Sequence, residues 1–235
     1  MPVAFAEGRI TKLRREAKLA LAPADAEALR TRLAAEVGPP AVSRIVSVYF
    51  DGPGWPLAAR ATAAPHDTVK LRFKEYFPDR GAGSDRVVLE LKREANGITR
   101  KERVWVPRDR LEAALRDPAV PALRAWMGEC PLLPAVAVSY EREVYQGEEN
   151  WRVTVDRGVE FFPIDPRLAL SARPLRREFL GEAAGREERI IVELKHLESH
   201  LPPWLSAHAG AQEYSKFAQA MRCVHGVGEV CAAAG

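Results

Sequence analysis

Charged side chains alternate with apolar ones along several short segments, and lysine and arginine dominate the charged positions. In the segment 68–74 every second residue from Lys70 onward is a cation, and Glu-Leu-Lys occurs at both Glu90–Lys92 and Glu193–Lys195. Residues two apart in a strand face the same side, so such segments would gather cations and a few carboxylates on one face. Guanidinium and ammonium groups pair with phosphoryl oxygens, and carboxylates bind Mg²⁺ or Mn²⁺. These residues could therefore bind a polyanionic phosphate and support metal-assisted phosphoryl transfer.

Lysine is scarce in this chain, which makes its positions informative. Only eight of the 35 basic residues are lysines, and the remainder are arginines. Ammonium and guanidinium are not interchangeable, so a lysine kept against a strong arginine bias suggests a chemical requirement. All of the lysines except Lys12 fall on the alternating faces or, as Lys216 does, at the start of the last predicted helix.

Charged positions of this kind recur on the polar faces of the alternating segments. They are Glu16, Lys18, Lys70, Arg72, Lys74, Glu90, Lys92, Lys101, Arg103, Arg142, Arg152, Asp156, Glu193 and Lys195. On any single strand they would be ordinary solvated residues, since antiparallel sheets usually have one wet face. For the set, three features favour a shared anion site. The polar positions are charged rather than rich in Ser or Thr, bases outnumber acids, and Glu-Leu-Lys occurs twice.

Strands must position these residues, and period-two alternation predicts about eight of them. The predicted strands are 9–21, 44–51, 68–77, 86–93, 99–106, 135–145, 151–156 and 189–195. Helices are predicted at 23–37, 107–116, 119–127, 202–209 and 213–225, and 159–188 reads as loop with a short strand. The spacing is not that of repeated βαβ units, so we expect an α+β fold with an antiparallel eight-stranded β-barrel and flanking helices. The whole chain, 1–235, is expected to form one domain.

Composition and charge exclude several classes of protein. A hydrophobic content of 47% with 29% charged residues is typical of a globular chain rather than a disordered one. The net charge of +3 is too small to indicate a nucleic-acid-binding protein, so we expect no nucleic-acid partner. We find no apolar run that approaches the ~18–20 residues of a membrane span and no secretory signal. The cysteines indicate neither disulfides nor zinc, and we expect a cytoplasmic protein.

Short motifs also occur in a characteristic order along nearly the whole chain. They are R-R-E-A-K at 14–18, S-V-Y-F-D at 47–51, V-K-L-R-F at 69–73, L-E-L-K-R at 89–93 followed by R-K-E-R at 100–103, S-Y-E-R-E-V-Y at 139–145, R-V-T-V-D at 152–156, V-E-L-K at 192–195, P-P-W-L at 202–205 and Y-S-K-F at 214–217. In this order they resemble the VTC domain, the polyphosphate polymerase-like branch of the CYTH or triphosphate tunnel superfamily.

The resemblance implies a fold, a metal requirement and a set of site residues. The fold would be an antiparallel eight-stranded tunnel, and the cofactor would be Mn²⁺ or Mg²⁺. Catalytic phosphate contacts are expected at Lys18, Arg72, Arg103, Arg142, Arg152 and Lys216. Further substrate contacts are expected at Lys70, Lys74, Lys92, Lys101, Lys195 and Tyr140. The metal would be held by Glu193 as the principal ligand, with Glu90, Asp156 and Glu16 as further carboxylates.

The activity implied is transfer of the ATP γ-phosphate onto a growing chain of inorganic polyphosphate. ATP and polyphosphate are then the expected partners, and a peripheral membrane partner stays open. A triphosphatase of the same tunnel fold and a non-catalytic polyphosphate sensor are the alternatives. Hydrolases and cyclases of the superfamily carry E-x-E-x-K, whereas this chain has Arg14-x-Glu16-x-Lys18. The replaced first acid favours the polymerase branch.

Overall fold

One antiparallel sheet contains all the strands of the computed structural model, which describes residues 15–79, 85–95, 98–116, 131–147, 151–196, 202–206 and 214–228. The strands are β1 (Arg15–Leu21), β2 (Ala41–Asp51), β3 (Thr68–Pro78), β4 (Arg86–Ala95), β5 (Ile98–Pro107), β6 (Leu133–Gln146), β7 (Arg152–Pro163), β8 (Gly185–Glu187) and β9 (Ile190–His196). Their order is β1-β9-β7-β6-β2-β3-β4-β5, and β8 pairs with β7. Each predicted alternating segment overlaps one of these strands.

Short helices flank the sheet. They are α1 (Pro23–Val37), α2 (Pro56–Ala63), α3 (Leu111–Arg116), α4 (Pro166–Ala169), α5 (Pro203–Ser206) and α6 (Lys216–His225), with 3₁₀ turns at Arg108–Arg110 and Arg177–Phe179. The predicted helix 23–37 is confirmed in full, and 213–225 is confirmed from Lys216 onward. The predicted helix 119–127 and the segment 9–14 of the first predicted strand lie outside the described residues.

The prediction of a closed eight-stranded barrel is wrong, because the sheet is open and its edges are β1 and β5. In the described part of the chain no backbone ladder joins these edges. Long side chains bridge them instead, since the Lys101 Nζ lies 3.0 Å from the Glu16 Oε2. Strands that pair lie about 4.7–4.9 Å apart. The gap between β1 and β5 is wider than this, because two side chains placed end to end are needed to cross it. The sheet is thus a half-barrel curled toward the face that carries these charges, called here the inner face.

Two further expectations are corrected. Residues 159–188, predicted as loop with a short strand, contain that strand as β8 but also more regular structure than predicted: β7 runs to Pro163, passing Gly158 at φ +56°, and α4 follows. The helix α2 was not predicted, because eight residues are too few to show a helical repeat. Its start is fixed from outside the helix, where the buried Asp51 carboxylate accepts hydrogen bonds from the N–H groups of Leu57 and Ala58, each at 2.9 Å.

Two apolar clusters hold the sheet in shape. On the outer face, Leu29 and Leu33 of α1 pack against residues of β1, β7 and β9 that include Val153 and Leu194. The second cluster includes α2 and α6, and here Phe217 stacks on Tyr49 at 5.2 Å between ring centroids. Tyr49 is opposite Arg72 in the β2–β3 register and so lies on the inner face. Helix α6 therefore covers part of that face, leaving the remainder to the charged residues.

Candidate site on the inner face

Glu90 is the centre of a buried charge cluster on β3, β4 and β5. The strand register places it opposite both Arg72 and Arg103. Arg72 Nε donates to Glu90 Oε1 at 2.8 Å, Arg103 Nε donates to Oε2, and Lys74 Nζ lies 3.4 Å from Oε2. Burial alone would raise the pKa of Glu90, but these three cations hold it well below its usual value. Both carboxylate oxygens are thus occupied by cations of the protein.

A second row of cations lies next to this cluster. Lys70, Lys92 and Lys101 are directly opposite one another on β3, β4 and β5. Lys92 has a carboxylate partner in Glu94 at 2.9 Å. Lys70 has none among the described residues, and burial together with the charges of Lys92 and Lys18 lowers its pKa to about 7. The row is therefore short of negative charge.

Asp156 anchors a third group on β6, β7 and α6. Arg142 is opposite Asp156 in the register and donates to both of its carboxylate oxygens, at 2.6 and 2.7 Å. Lys216, the first residue of α6, donates to Asp156 Oδ2 at 2.6 Å. The Tyr140 ring lies beneath both cations, 5.3 Å from the Arg142 guanidinium carbon and 4.9 Å from the Lys216 Nζ. Asp156 is fully engaged in orienting these groups.

Glu16 and Glu193 form a carboxyl pair on the neighbouring strands β1 and β9. Their side chains are within hydrogen-bonding distance of each other. Glu193 also pairs with Lys195, and Glu16 pairs with Lys101. Burial would raise the pKa of Glu193, but the hydrogen bond from Glu16 and the charges of Lys195 and Arg142 hold it well below its usual value. Lys18 lies 4.0 Å from Glu16 and opposite Glu193.

This carboxyl pair is the donor set that best fits a divalent cation. Two adjacent carboxylates repel unless a proton or a cation lies between them, and Mg²⁺ is commonly bound by one or two carboxylates together with substrate phosphates. The buried Thr154 hydroxyl, opposite Glu193, has no hydrogen-bond partner among the described residues and adds an oxygen ligand or donor. Glu90 and Asp156 lack free oxygens, so this geometry does not favour their predicted metal role. The described ranges contain no group of three or more His, Cys, Asp and Glu side chains able to hold a metal.

All of the predicted site residues lie in the described ranges and on one face. Its cations are Lys18, Lys70, Arg72, Lys74, Lys92, Lys101, Arg103, Arg142, Arg152, Lys195 and Lys216, and its acids are Glu16, Glu90, Glu94, Asp156 and Glu193. Cations exceed acids roughly two to one. The concave shape and the unbalanced charge suit a polyanion with closely spaced charges.

Three residues that contact or complete the charged groups of this face were missed in the sequence. Glu94, which pairs with Lys92, lies just beyond the predicted strand 86–93. Tyr49 accepts a hydrogen bond at 2.8 Å from Arg72 Nη1 and so fixes that guanidinium, while Thr154 presents the unpartnered hydroxyl. Both occupy polar positions of alternating strands, which was the available signal. They were passed over because neither carries a charge.

The likeness to known proteins covers most of the chain. The family model described as "VTC domain" matches residues 13–225. A structure of a putative adenylyl cyclase from Hippeastrum, described as revealing a dominant triphosphatase activity, is 18% identical with a TM-score of 0.52, covering 88% of this chain and 95% of that one. A putative adenylate cyclase from Bacillus halodurans is 12% identical and covers 83% of each chain, but its TM-score of 0.48 carries no weight. Comparison with curated proteins finds no match. No helix of the described ranges is long and apolar enough to cross a membrane.

Proposed function

Because the chain belongs to the VTC domain family, we propose that it is a metal-dependent polyphosphate polymerase that transfers the γ-phosphate of ATP to a polyphosphate chain. One observation carries the proposal: cations from β1, β3, β4, β5, β6, β7, β9 and α6 converge on a single concave face around a carboxyl pair. A surface of this kind suits a chain of phosphates better than it suits one isolated phosphate.

The transfer needs little covalent help from the protein. An oxygen of the terminal phosphate of the acceptor attacks the γ-phosphorus of ATP, the bond from that phosphorus to the β,γ-bridging oxygen breaks, and ADP leaves with the electron pair. Positioning and charge stabilisation supply most of the catalysis in phosphoryl transfer. In this chain Arg72 and Arg103, oriented by Glu90, and Arg142 and Lys216, oriented by Asp156, would hold the phosphoryl oxygens.

The divalent cation would be held by Glu193 and Glu16. Bound there, Mn²⁺ or Mg²⁺ would supply positive charge that offsets the negative charge of the phosphates. Lys18, Lys101 and Lys195 surround the same carboxyls and would keep the donor set in place.

Hydrolysis is the second candidate, because a protein of the same fold is described as having a dominant triphosphatase activity. The two reactions share the leaving group and differ in the attacking oxygen, which is that of water in hydrolysis and that of phosphate in polymerisation. The amino acid at position 14, an arginine where the superfamily's hydrolases carry an acid, favours polymerisation.

The deciding experiment follows the products. Purified protein is incubated with ATP and Mn²⁺, and polyphosphate, ADP and free phosphate are quantified separately. A ladder of long chains with a matching amount of ADP is the expected result. Free phosphate without a ladder would replace the polymerase with a hydrolase, and tight binding of ATP or polyphosphate without turnover would identify a sensor.

A further inference from the structure

An exposed tryptophan stands among the cations of the inner face. Trp105 is opposite Val88, which is opposite Lys74, so all three side chains point to that face. Half of the Trp105 surface remains exposed. An apolar indole surface left in contact with water is unfavourable, and a ligand that covers it would gain free energy from its burial.

Tyr76 lies beside it and completes an aromatic pair. The ring centroids of Tyr76 and Trp105 are 6.3 Å apart with an interplanar angle of 39°. Tyr76 is two residues beyond Lys74 on the same face of β3, and Trp105 is two residues beyond Arg103 on the same face of β5. Arg103 and Lys74 both contact Glu90. The aromatic pair therefore borders the arginine-rich part of the site.

We propose that Trp105 and Tyr76 form a stacking platform for the base of a nucleoside triphosphate whose phosphates lie on the neighbouring cations. This inference rests on the proposed function, because it assumes that the inner face binds a triphosphate. The occupant must carry an aromatic ring and a polyanion in one molecule, since the platform and the cations adjoin. Nucleotides meet both conditions, and inorganic triphosphate meets only the second.

The platform gives the site a preference for nucleotides over inorganic phosphate chains. Stacking a base on an aromatic side chain is worth about 1–3 kcal/mol and tolerates any base, because every base has a π-face. We therefore expect ATP and GTP to bind with similar affinity. The preference separates the phosphate donor, a nucleotide, from the acceptor chain, which carries no ring.

Binding of two turnover-resistant ligands to the same variants tests the platform. The ligands are the β,γ-imido analogue of ATP and imidotriphosphate, each measured by calorimetry with Mg²⁺ present. Trp105→Ala should weaken nucleotide binding by about 5- to 150-fold, the range that corresponds to 1–3 kcal/mol, and leave imidotriphosphate binding unchanged. Trp105→Phe should retain most of the nucleotide affinity. Ile98→Ala is the matched control, because Ile98 is 62% exposed on the same strand but on its other face.

Each remaining outcome has a separate meaning. Equal weakening of both ligands by Trp105→Ala would show that the indole supports the phosphate site rather than the base, and no effect on either would leave the ring without this role. Both results overturn the platform while leaving the proposed function intact. Wild-type protein that binds neither ligand would overturn the proposed function itself, and the platform with it.

Discussion

At the scale of single residues, the buried carboxylates of the inner face divide into two kinds. Glu90 and Asp156 each have both oxygens engaged by arginine and lysine, so they fix the directions in which those cations point. Glu193 and Glu16 lie against each other, an arrangement that a divalent cation would relieve. Strand alternation could not separate these kinds, because Glu90 and Glu193 occupy the same place in identical Glu-Leu-Lys motifs, and only the resemblance to the VTC domain singled out Glu193.

Substitution of Glu193 should therefore remove catalysis without removing binding. In Glu193→Gln we expect turnover with Mn²⁺ to fall on the order of 100-fold or more, the size expected when several kcal/mol of metal-borne charge stabilisation is lost. Binding of tripolyphosphate without metal should not weaken, because the substitution removes a negative charge of the protein that would repel the anion. Steady-state rates and calorimetry measure the two effects. Glu141→Gln, on β6 and paired with Arg157, is the control and should leave both unchanged.

Lys70 should make phosphate binding depend on pH. Burial and the charges of Lys92 and Lys18 lower its pKa to about 7, so the free protein carries a largely neutral Lys70 at pH 8. A bound polyanion favours the ammonium form and raises that pKa, so binding at pH 8 takes up a proton. Affinity should then fall as the pH rises above 7, by up to about tenfold per pH unit.

Comparison with Lys70→Arg isolates this contribution, because the phosphates themselves also titrate. Arginine stays charged across the range, so the slope of affinity against pH between 7 and 9 should be shallower in the variant. Calorimetry in two buffers of different ionisation enthalpy counts the protons taken up. Identical slopes and proton counts for the two proteins would contradict a titrating Lys70.

At the scale of elements, strands were predictable where one face is apolar and the other charged. Period-two alternation predicted strands at 44–51 and 86–93, and the structure has β2 at Ala41–Asp51 and β4 at Arg86–Ala95. The parity of 135–145 could not be read, because β6 is buried on both faces from Pro134 to Tyr140 and apolar residues occupy both. The strand 151–156 was predicted too short for another reason. A bulge between Arg157 and Glu160 adds a residue to β7 and reverses its alternation. Short helices depend on contacts outside their own residues, as α2 shows through Asp51.

Helix α2 should depend on Asp51, which caps it from the end of β2. The buried Asp51 accepts backbone hydrogen bonds from Gly52, Leu57 and Ala58, and Asp51→Ala leaves these donors without partners. We expect the free energy of unfolding to fall by about 2 kcal/mol, the upper end for a capping residue, as measured by urea denaturation. Asp165→Ala removes an exposed cap at α4 and should cost only about 0.5 kcal/mol. Equal losses in the two variants would refute the special role of Asp51.

At the scale of the whole molecule, the curvature of the sheet brings the charged residues of separate strands together on one concave face. Cations crowd the concave face and few carboxylates offset them, so the free protein holds like charges together at a cost in stability. Alternation in the sequence predicted which side chains share this face. It could not predict that the sheet stays open, because closure depends on how far the edges of β1 and β5 are from each other and not on either strand alone.

A bound polyanion should therefore stabilise the protein against unfolding. Removal of cations that have no carboxylate partner should also stabilise the free protein, but by less. At a tripolyphosphate concentration of about 100 times the Kd, linkage gives about 2.7 kcal/mol, or a rise in Tm of roughly 5–11 °C for a chain of this size. Lys70 and Arg152 have no carboxylate partner among the described residues, so Lys70→Ala/Arg152→Ala leaves no carboxylate unpaired. Its ligand-free Tm should rise and its ligand-induced shift should shrink. Arg167→Ala/Arg173→Ala, which removes two exposed arginines of the 166–173 segment, should keep the full shift. If the ligand-induced shift in Tm shrinks as much in Arg167→Ala/Arg173→Ala as in Lys70→Ala/Arg152→Ala, tripolyphosphate binds the general positive charge of the molecule and not its inner face.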